Sequence, residues 1–183
     1  MDRRGFLIGG SALLSLGLSG LARSRAWAAA GRPEVAGDGP LTPAQWRLIG
    51  AVQAHLFPSE ADAPGAAEVN ALGYLRFVLS MPEAEAREAA ELIATGAARL
   101  ARLCRERGKP FEAMDEAERE ALLRRFEQTP EGRHWLTEIL GYIFEALLTD
   151  PVYGGNPGGI GWQWLDHRPG FPRPPADKRY FLL

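Results

Sequence analysis

Few residues in this 183-residue chain could do chemistry by themselves. Cys104 is the sole cysteine, so no disulfide framework, four-cysteine zinc site or chain-held iron–sulfur cluster can form within it. His55, His134 and His167 lie far apart and give no metal-ligand spacing. A glycine-rich run near the C-terminus, Gly154-Gly155 and Gly158-Gly159 followed by Gly161, invites a phosphate-cradle reading. The P-loop needs a preceding strand and a Lys-Ser/Thr after the glycines, and this run has neither. A dinucleotide fingerprint needs a following helix to meet the pyrophosphate, and residues 162–175 carry too much Pro for one. Asp150 and Asp166 stand too far apart to propose as an acid–base pair. Asp150 is expected to accept backbone N–H groups near a helix end instead. His167 beside Arg168 reads as a surface or packing residue. Cys104 falls on the apolar stripe of an Ala-rich helix and reads as a buried structural thiol. The residues therefore predict no catalytic constellation, no cofactor and no metal in this chain.

What remains unusual is the company those glycines keep. Between Asp150 and Pro175 there are six Gly and six Pro, a composition that alone would read as disorder. The same stretch holds Tyr153, Ile160, Trp162, Trp164, Leu165 and Phe171. Large rings gain roughly 25 cal/mol per Å² of apolar surface only when they dock. An ordered coil is expected over residues 150–183, lying on its own bundle, on a partner, or on both. Its glycines would permit positive φ and close backbone approach.

The elements that must position this coil read as helices. Thr42-Pro43 starts one that runs to Leu56, with Trp46, Ile49, Gln53 and Leu56 on one side, and Phe57-Pro58 ends it. Val69, Leu72, Leu75 and Leu79 predict a second helix from about Ala66 to Leu79. A third is expected from Pro82 to about Arg107, with Ile93, Ala97, Leu100 and Cys104 along one stripe. Its small side chains mark it as the central helix, and Gly108-Lys109-Pro110 stops it. Asp115 to Glu118 resembles a capping box that opens a helix to about Glu127. Thr129-Pro130 opens the last, in which Trp135, Ile139, Ile143 and Leu147 recur every four residues. No alternating strand pattern or internal repeat is present. The expected fold class is all-α, a bundle of five to six helices with an ordered Gly/Pro/Trp-rich C-terminal coil.

The front end reads as an address. Arg3-Arg4 followed by Phe6-Leu7 resembles the twin-arginine export signal, and the apolar run Leu7–Leu21 is too short to span a bilayer as a helix. Ala26 and Ala28 supply small residues for signal-peptidase cleavage. The alternative is an uncleaved N-terminal anchor. The organisation expected is a signal over 1–28, a linker over 29–40, a helical domain over 41–149 and a docking coil over 150–183. The whole chain carries a formal charge of −2. Loss of residues 1–28 removes four Arg and one Asp and leaves an acidic remainder, which argues against a nucleic-acid partner.

Asp150-Pro-Val-Tyr-Gly-Gly-Asn156, Gly159-Ile-Gly-Trp162 and Pro169-Gly170 resemble the gluconate 2-dehydrogenase subunit 3 family. Leu41 to Gln45, Phe57-Pro58, Pro64 to Ala67 and Phe111 agree, so the likeness runs from about Leu41 to Pro172. The resemblance implies a non-catalytic small subunit of a periplasmic or membrane-associated sugar or sugar-acid dehydrogenase. Its partner would be a glucose–methanol–choline type subunit holding FAD, with a c-type cytochrome carrying haem c as the onward acceptor. The small subunit would assist folding and assembly and lend its export signal, as a hitch-hiker chaperone. The expected partner interface is Tyr153, Gly154, Gly155, Asn156, Trp162, Trp164, His167 and Phe171, where a buried aromatic anchor is worth about 2 kcal/mol of binding. Two other readings stand beside it. One is an independent periplasmic ligand-binding protein or enzyme with a pocket beneath the glycine-rich loop. The other is a subunit that mainly shields apolar surface on the dehydrogenase.

Overall fold

The computed structural model describes residues 40–175, 177 and 178. The expected export signal (Arg3, Arg4, Phe6, Leu7, Ala26 and Ala28), nearly all of the linker and the last five residues lie outside them. Six α-helices and three short 3-10 turns make up the described fold, which contains no strand.

Helix α1 (Pro43–Leu56) starts as its sequence dictates. Thr42 and Gln45 form a reciprocal capping box: Thr42 Oγ1 accepts from the Gln45 N–H and Gln45 Oε1 accepts from the Thr42 N–H. Trp46, Ile49 and Gln53 are buried, together with Leu48 and Val52, whereas Leu56 is only half-buried.

Helix α2 (Ala71–Leu79) starts five residues later than its apolar period predicts. Residues 66–70 form turns, and Asn70 takes the left-handed conformation with φ 57°. The cause is tertiary. The Asn70 amide donates to the carbonyl of Gly154 at 2.6 Å, and the Val69 carbonyl accepts from the Asn156 N–H at 3.0 Å. The Val69 carbonyl, which a longer helix would use locally, is spent on the C-terminal segment, as is the Asn70 side chain. Val69 stays in the core all the same.

Helix α3 (Ala84–Glu106) buries Ile93, Ala97, Leu100 and Cys104. Gly96 is where its neighbour comes closest: a Cβ there would collide with the Trp135 indole, whose Nε1 donates to the Ile93 carbonyl at 3.0 Å. Gly108, at φ 69°, stops the chain as expected. After the turn Phe111–Ala113, Asp115 and Glu118 form the second capping box and open α4 (Glu116–Glu127).

Helix α5 (Pro130–Leu148) is capped by Thr129 and buries Trp135, Ile139, Ile143 and Leu147. It packs against α1, α2, α3, α4 and the short α6 (Ile160–Trp164). The centre of the bundle is therefore α5 and not the Ala-rich α3. Small residues allowed a close approach at one place, but the long apolar stripe is what attracts neighbours from every side.

Candidate interaction site at the C-terminal end of the bundle

The last carbonyls of an α-helix have no partner within the helix. At the end of α5 they are met by side chains from downstream. Trp162 Nε1 donates to the Leu148 carbonyl at 2.7 Å, and Asn156 Nδ2 donates to the Thr149 carbonyl at 3.1 Å. The Asn156 Oδ1 accepts the Gly161 N–H at 2.7 Å. Asn156 is fully buried in a left-handed turn, φ 48°, and joins three pieces of chain: residue 69, the end of α5 and the start of α6.

The glycines divide by role. Gly154, Gly158 and Gly159 hold positive φ. Gly155 and Gly161 are required for closeness: a Cβ on Gly155 would stand 2.7 Å from the Ala146 carbonyl oxygen, and one on Gly161 would press into that of Leu147. The loop is thus pressed onto the backbone of α5. The coil is also less irregular than expected, since the turns Pro151–Tyr153 and Pro157–Gly159 lead into α6, which ends before the Pro-rich stretch.

Asp150 begins this segment and Arg173 closes it. The Asp150 Oδ1 accepts from the Val152 N–H at 3.0 Å and from Arg173 Nη2 at 3.0 Å, while Oδ2 accepts from Arg173 Nε at 2.8 Å. Burial acts to raise the Asp150 carboxyl, but the Arg173 guanidinium and the Val152 N–H outweigh it and hold the acid below its ordinary value. The same guanidinium sits 5.1 Å from the centre of the Trp162 ring.

Against this frame the expected interface residues separate. Gly155, Asn156 and Trp162 are buried by the chain itself and serve as internal joints; Gly154 is half-buried. A Trp162 anchor offered to a partner is not what the structure holds, because its indole is already seated on Leu148 and Arg173. Tyr153 and Trp164 are half-buried, and His167 and Phe171 are exposed. His167 lies against the Trp162 ring at 6.1 Å.

Sequence reasoning missed the outward members. Phe144 and Leu148 are 45% and 53% exposed and lie one turn apart on α5. The buried Phe57 ring meets Phe144 edge-on at 6.3 Å and Trp164 at 6.3 Å, so these rings form one ridge. A signal for them existed: each follows directly after a core position, Ile143 or Leu147, and so falls off the inward stripe. Phe171, 86% exposed, stands further along the same segment.

The sequence pattern of the gluconate 2-dehydrogenase subunit 3 family matches residues 43–170, from the first residue of α1 through α6 to Gly170. The chain belongs to this family. Comparison with curated proteins and with solved structures gave no match. Membership in the gluconate 2-dehydrogenase subunit 3 family sets the chain among accessory subunits of a dehydrogenase complex. The matched region includes the Trp162 and Asn156 bonds that fasten the Asp150–Trp162 segment onto α5 and stops short of Arg173. Among the described residues no three His, Cys, Asp or Glu side chains converge to hold a metal ion, and no helix is long and apolar enough to cross a membrane.

Proposed function

We propose that this chain is the non-catalytic small subunit of a gluconate 2-dehydrogenase-like complex, and that it folds with and escorts the catalytic subunit. In this reading the partner is a glucose–methanol–choline type dehydrogenase subunit that holds FAD. The Arg3-Arg4 leader takes the folded pair through the twin-arginine pathway to the periplasm. A c-type cytochrome then receives the electrons on the periplasmic face of the inner membrane. The interface is the ridge of Phe144, Leu148 and Trp164, extended by Tyr153, His167 and Phe171.

The observation that carries this reading is the construction of that ridge. Large apolar side chains left in water at the end of a well-packed helix mark a contact surface. Here they sit on the helix end that the Asp150–Trp162 segment, inside the matched region, is folded to secure. Fixing a surface before it docks reduces the ordering cost of association.

The experiment is co-expression of this chain with a flavin-binding dehydrogenase that lacks a leader. Phe144→Asp with Leu148→Asp should cut co-purification about tenfold or more while leaving the melting temperature nearly unchanged, because both positions are exposed. Arg3→Lys with Arg4→Lys should hold both subunits in the cytoplasm. If the dehydrogenase matures and is exported normally without this chain, the reading fails.

A further inference from the structure

A second feature lies between α1, the end of α3 and the turn after it. There the surface opens into a groove of about 900 Å³, within the range of small-molecule sites. Its floor is apolar, made by Leu48, Cys104 and Phe111, and Ala44, Ala101 and Ala113 keep its walls low. Its rim is basic. Arg47, Arg105 and Lys109 stand on it against the single acid Glu112. In an acidic protein, residues 99–109 concentrate five cations against one anion, Glu106.

Those rim cations are not equally engaged. Lys109 donates to Glu118 at 2.6 Å, and the Gln45 amide is committed to the Ala94 carbonyl at 3.0 Å. The Arg47 and Arg105 side chains have no ion-pair or hydrogen-bond partner among the described residues. Charge at the edge and hydrocarbon along the floor match a ligand that is apolar over its length and anionic at one end. A sugar would need polar groups converging from the floor, and the floor supplies none. We propose that this groove binds a single-chain amphiphile with a carboxylate head, of the fatty-acid class, its head between Arg47 and Arg105 and its chain over Cys104 and Phe111. Guanidinium groups suit a carboxylate because they donate two parallel N–H bonds. This proposal stands independently of the accessory-subunit reading.

Cys104, the only thiol in the chain, lies on the groove floor and reports its occupancy. The test uses the purified full chain with dodecanoate below its micelle concentration, dodecyl maltoside as the neutral amphiphile of equal chain length, and acetate as the head alone. Calorimetry should show one dodecanoate per chain, with dodecyl maltoside about tenfold weaker or worse. Maleimide labelling of Cys104 should slow with dodecanoate and not with acetate. The Arg47→Gln, Arg105→Gln double variant should weaken dodecanoate by about tenfold and leave dodecyl maltoside unchanged. Ala101→Phe, which fills the groove, should weaken both amphiphiles. Equal binding of the neutral amphiphile would overturn the proposal, as would indifference to the double variant. So would a failure of dodecanoate to bind, and protection of Cys104 seen only on adding a dehydrogenase would then assign the groove to a protein partner.

Discussion

Two helix ends in this bundle are closed by opposite means. The end of α3 is closed by its own next residues: Gly108 turns left-handed and its N–H returns to the Arg105 carbonyl, and Lys109 N–H reaches Cys104. The end of α5 is closed by residues up to fourteen positions downstream, through Trp162 on Leu148 and Asn156 on Thr149. A local stop can be lost with a local cost. A remote closure ties three segments together, so its loss loosens α5, residues 66–70 and α6 at once. The two modes should therefore differ in how far damage spreads, and mutations can test that.

The largest effect is expected at Asn156→Ala. It strands the Gly161 N–H and the Thr149 carbonyl in a buried place and puts a β-carbon residue without its compensating bonds in the left-handed region. The expected cost is about 3 kcal/mol, read as a lowered urea midpoint. Hydrogen exchange should speed in residues 66–70 and 157–164 as well as at the end of α5. Faster exchange confined to residues 154–158 would show that the segment is not one unit.

Trp162→Phe sharpens the same comparison with less violence. It keeps an aromatic ring in place but removes the donor to Leu148 together with one ring of the indole, for an expected loss of about 1–2 kcal/mol by thermal or chemical denaturation. A loss below the measurement error would mean that the Leu148 carbonyl finds another partner. At another locally made boundary, the start of α4, Asp115→Ala removes one capping box and should cost about 1 kcal/mol. Its hydrogen-exchange effect should stay within the first turn of α4. If it instead reaches α5, local and remote closures do not differ as argued.

The same distinction decides what was legible in the sequence. Helix starts at Thr42, Asp115 and Thr129, and the stop at Gly108, depend on residues within four positions of the boundary, and all four were read correctly. The start of α2 was misread because Asn70 answers to Gly154, eighty-four residues away, and an apolar period cannot register that bond. The centre of the bundle was assigned to α3 because alanines signal closeness, whereas centrality follows from the broader apolar stripe of α5. In the candidate site the glycines and tryptophans are legible as an ordered segment lying on the bundle, on a partner or on both, but which of them face inward is not. Trp162 and Trp164 are two residues apart and look alike in sequence. Only the fold shows that one caps a helix while the other reaches the ridge with Phe57 and Phe144. Arg173 was missed as a partner of Asp150 because no short motif links them across 23 positions.

The smallest predicted effect separates charge from shape at the remote closure. Asp150 and Arg173 are both mostly buried, at 13% and 21% side-chain exposure, and their pairing is bidentate. The Asp150 carboxyl lies below its ordinary value in the folded chain, since the Arg173 guanidinium and the Val152 N–H outweigh the penalty of burial. A depressed folded value means that the unfolded chain takes up the proton first as the solution is acidified. The stabilisation is therefore complete above the ordinary aspartate range near about 4, and it falls away as the pH drops through the lowered folded value. Asp150→Asn keeps the shape and removes this titration. The gap in melting temperature between the native chain and Asp150→Asn should be constant at neutral pH and should narrow below about pH 4. Glu68, Glu118 and Glu120 are also held low, by Ser59, Lys109 and His55 respectively, but they are common to both proteins and cancel in the difference. A gap that stays constant through the acid range would show that the Asp150 charge adds nothing to the closure and that Arg173 fastens the segment by its contact with the Trp162 ring.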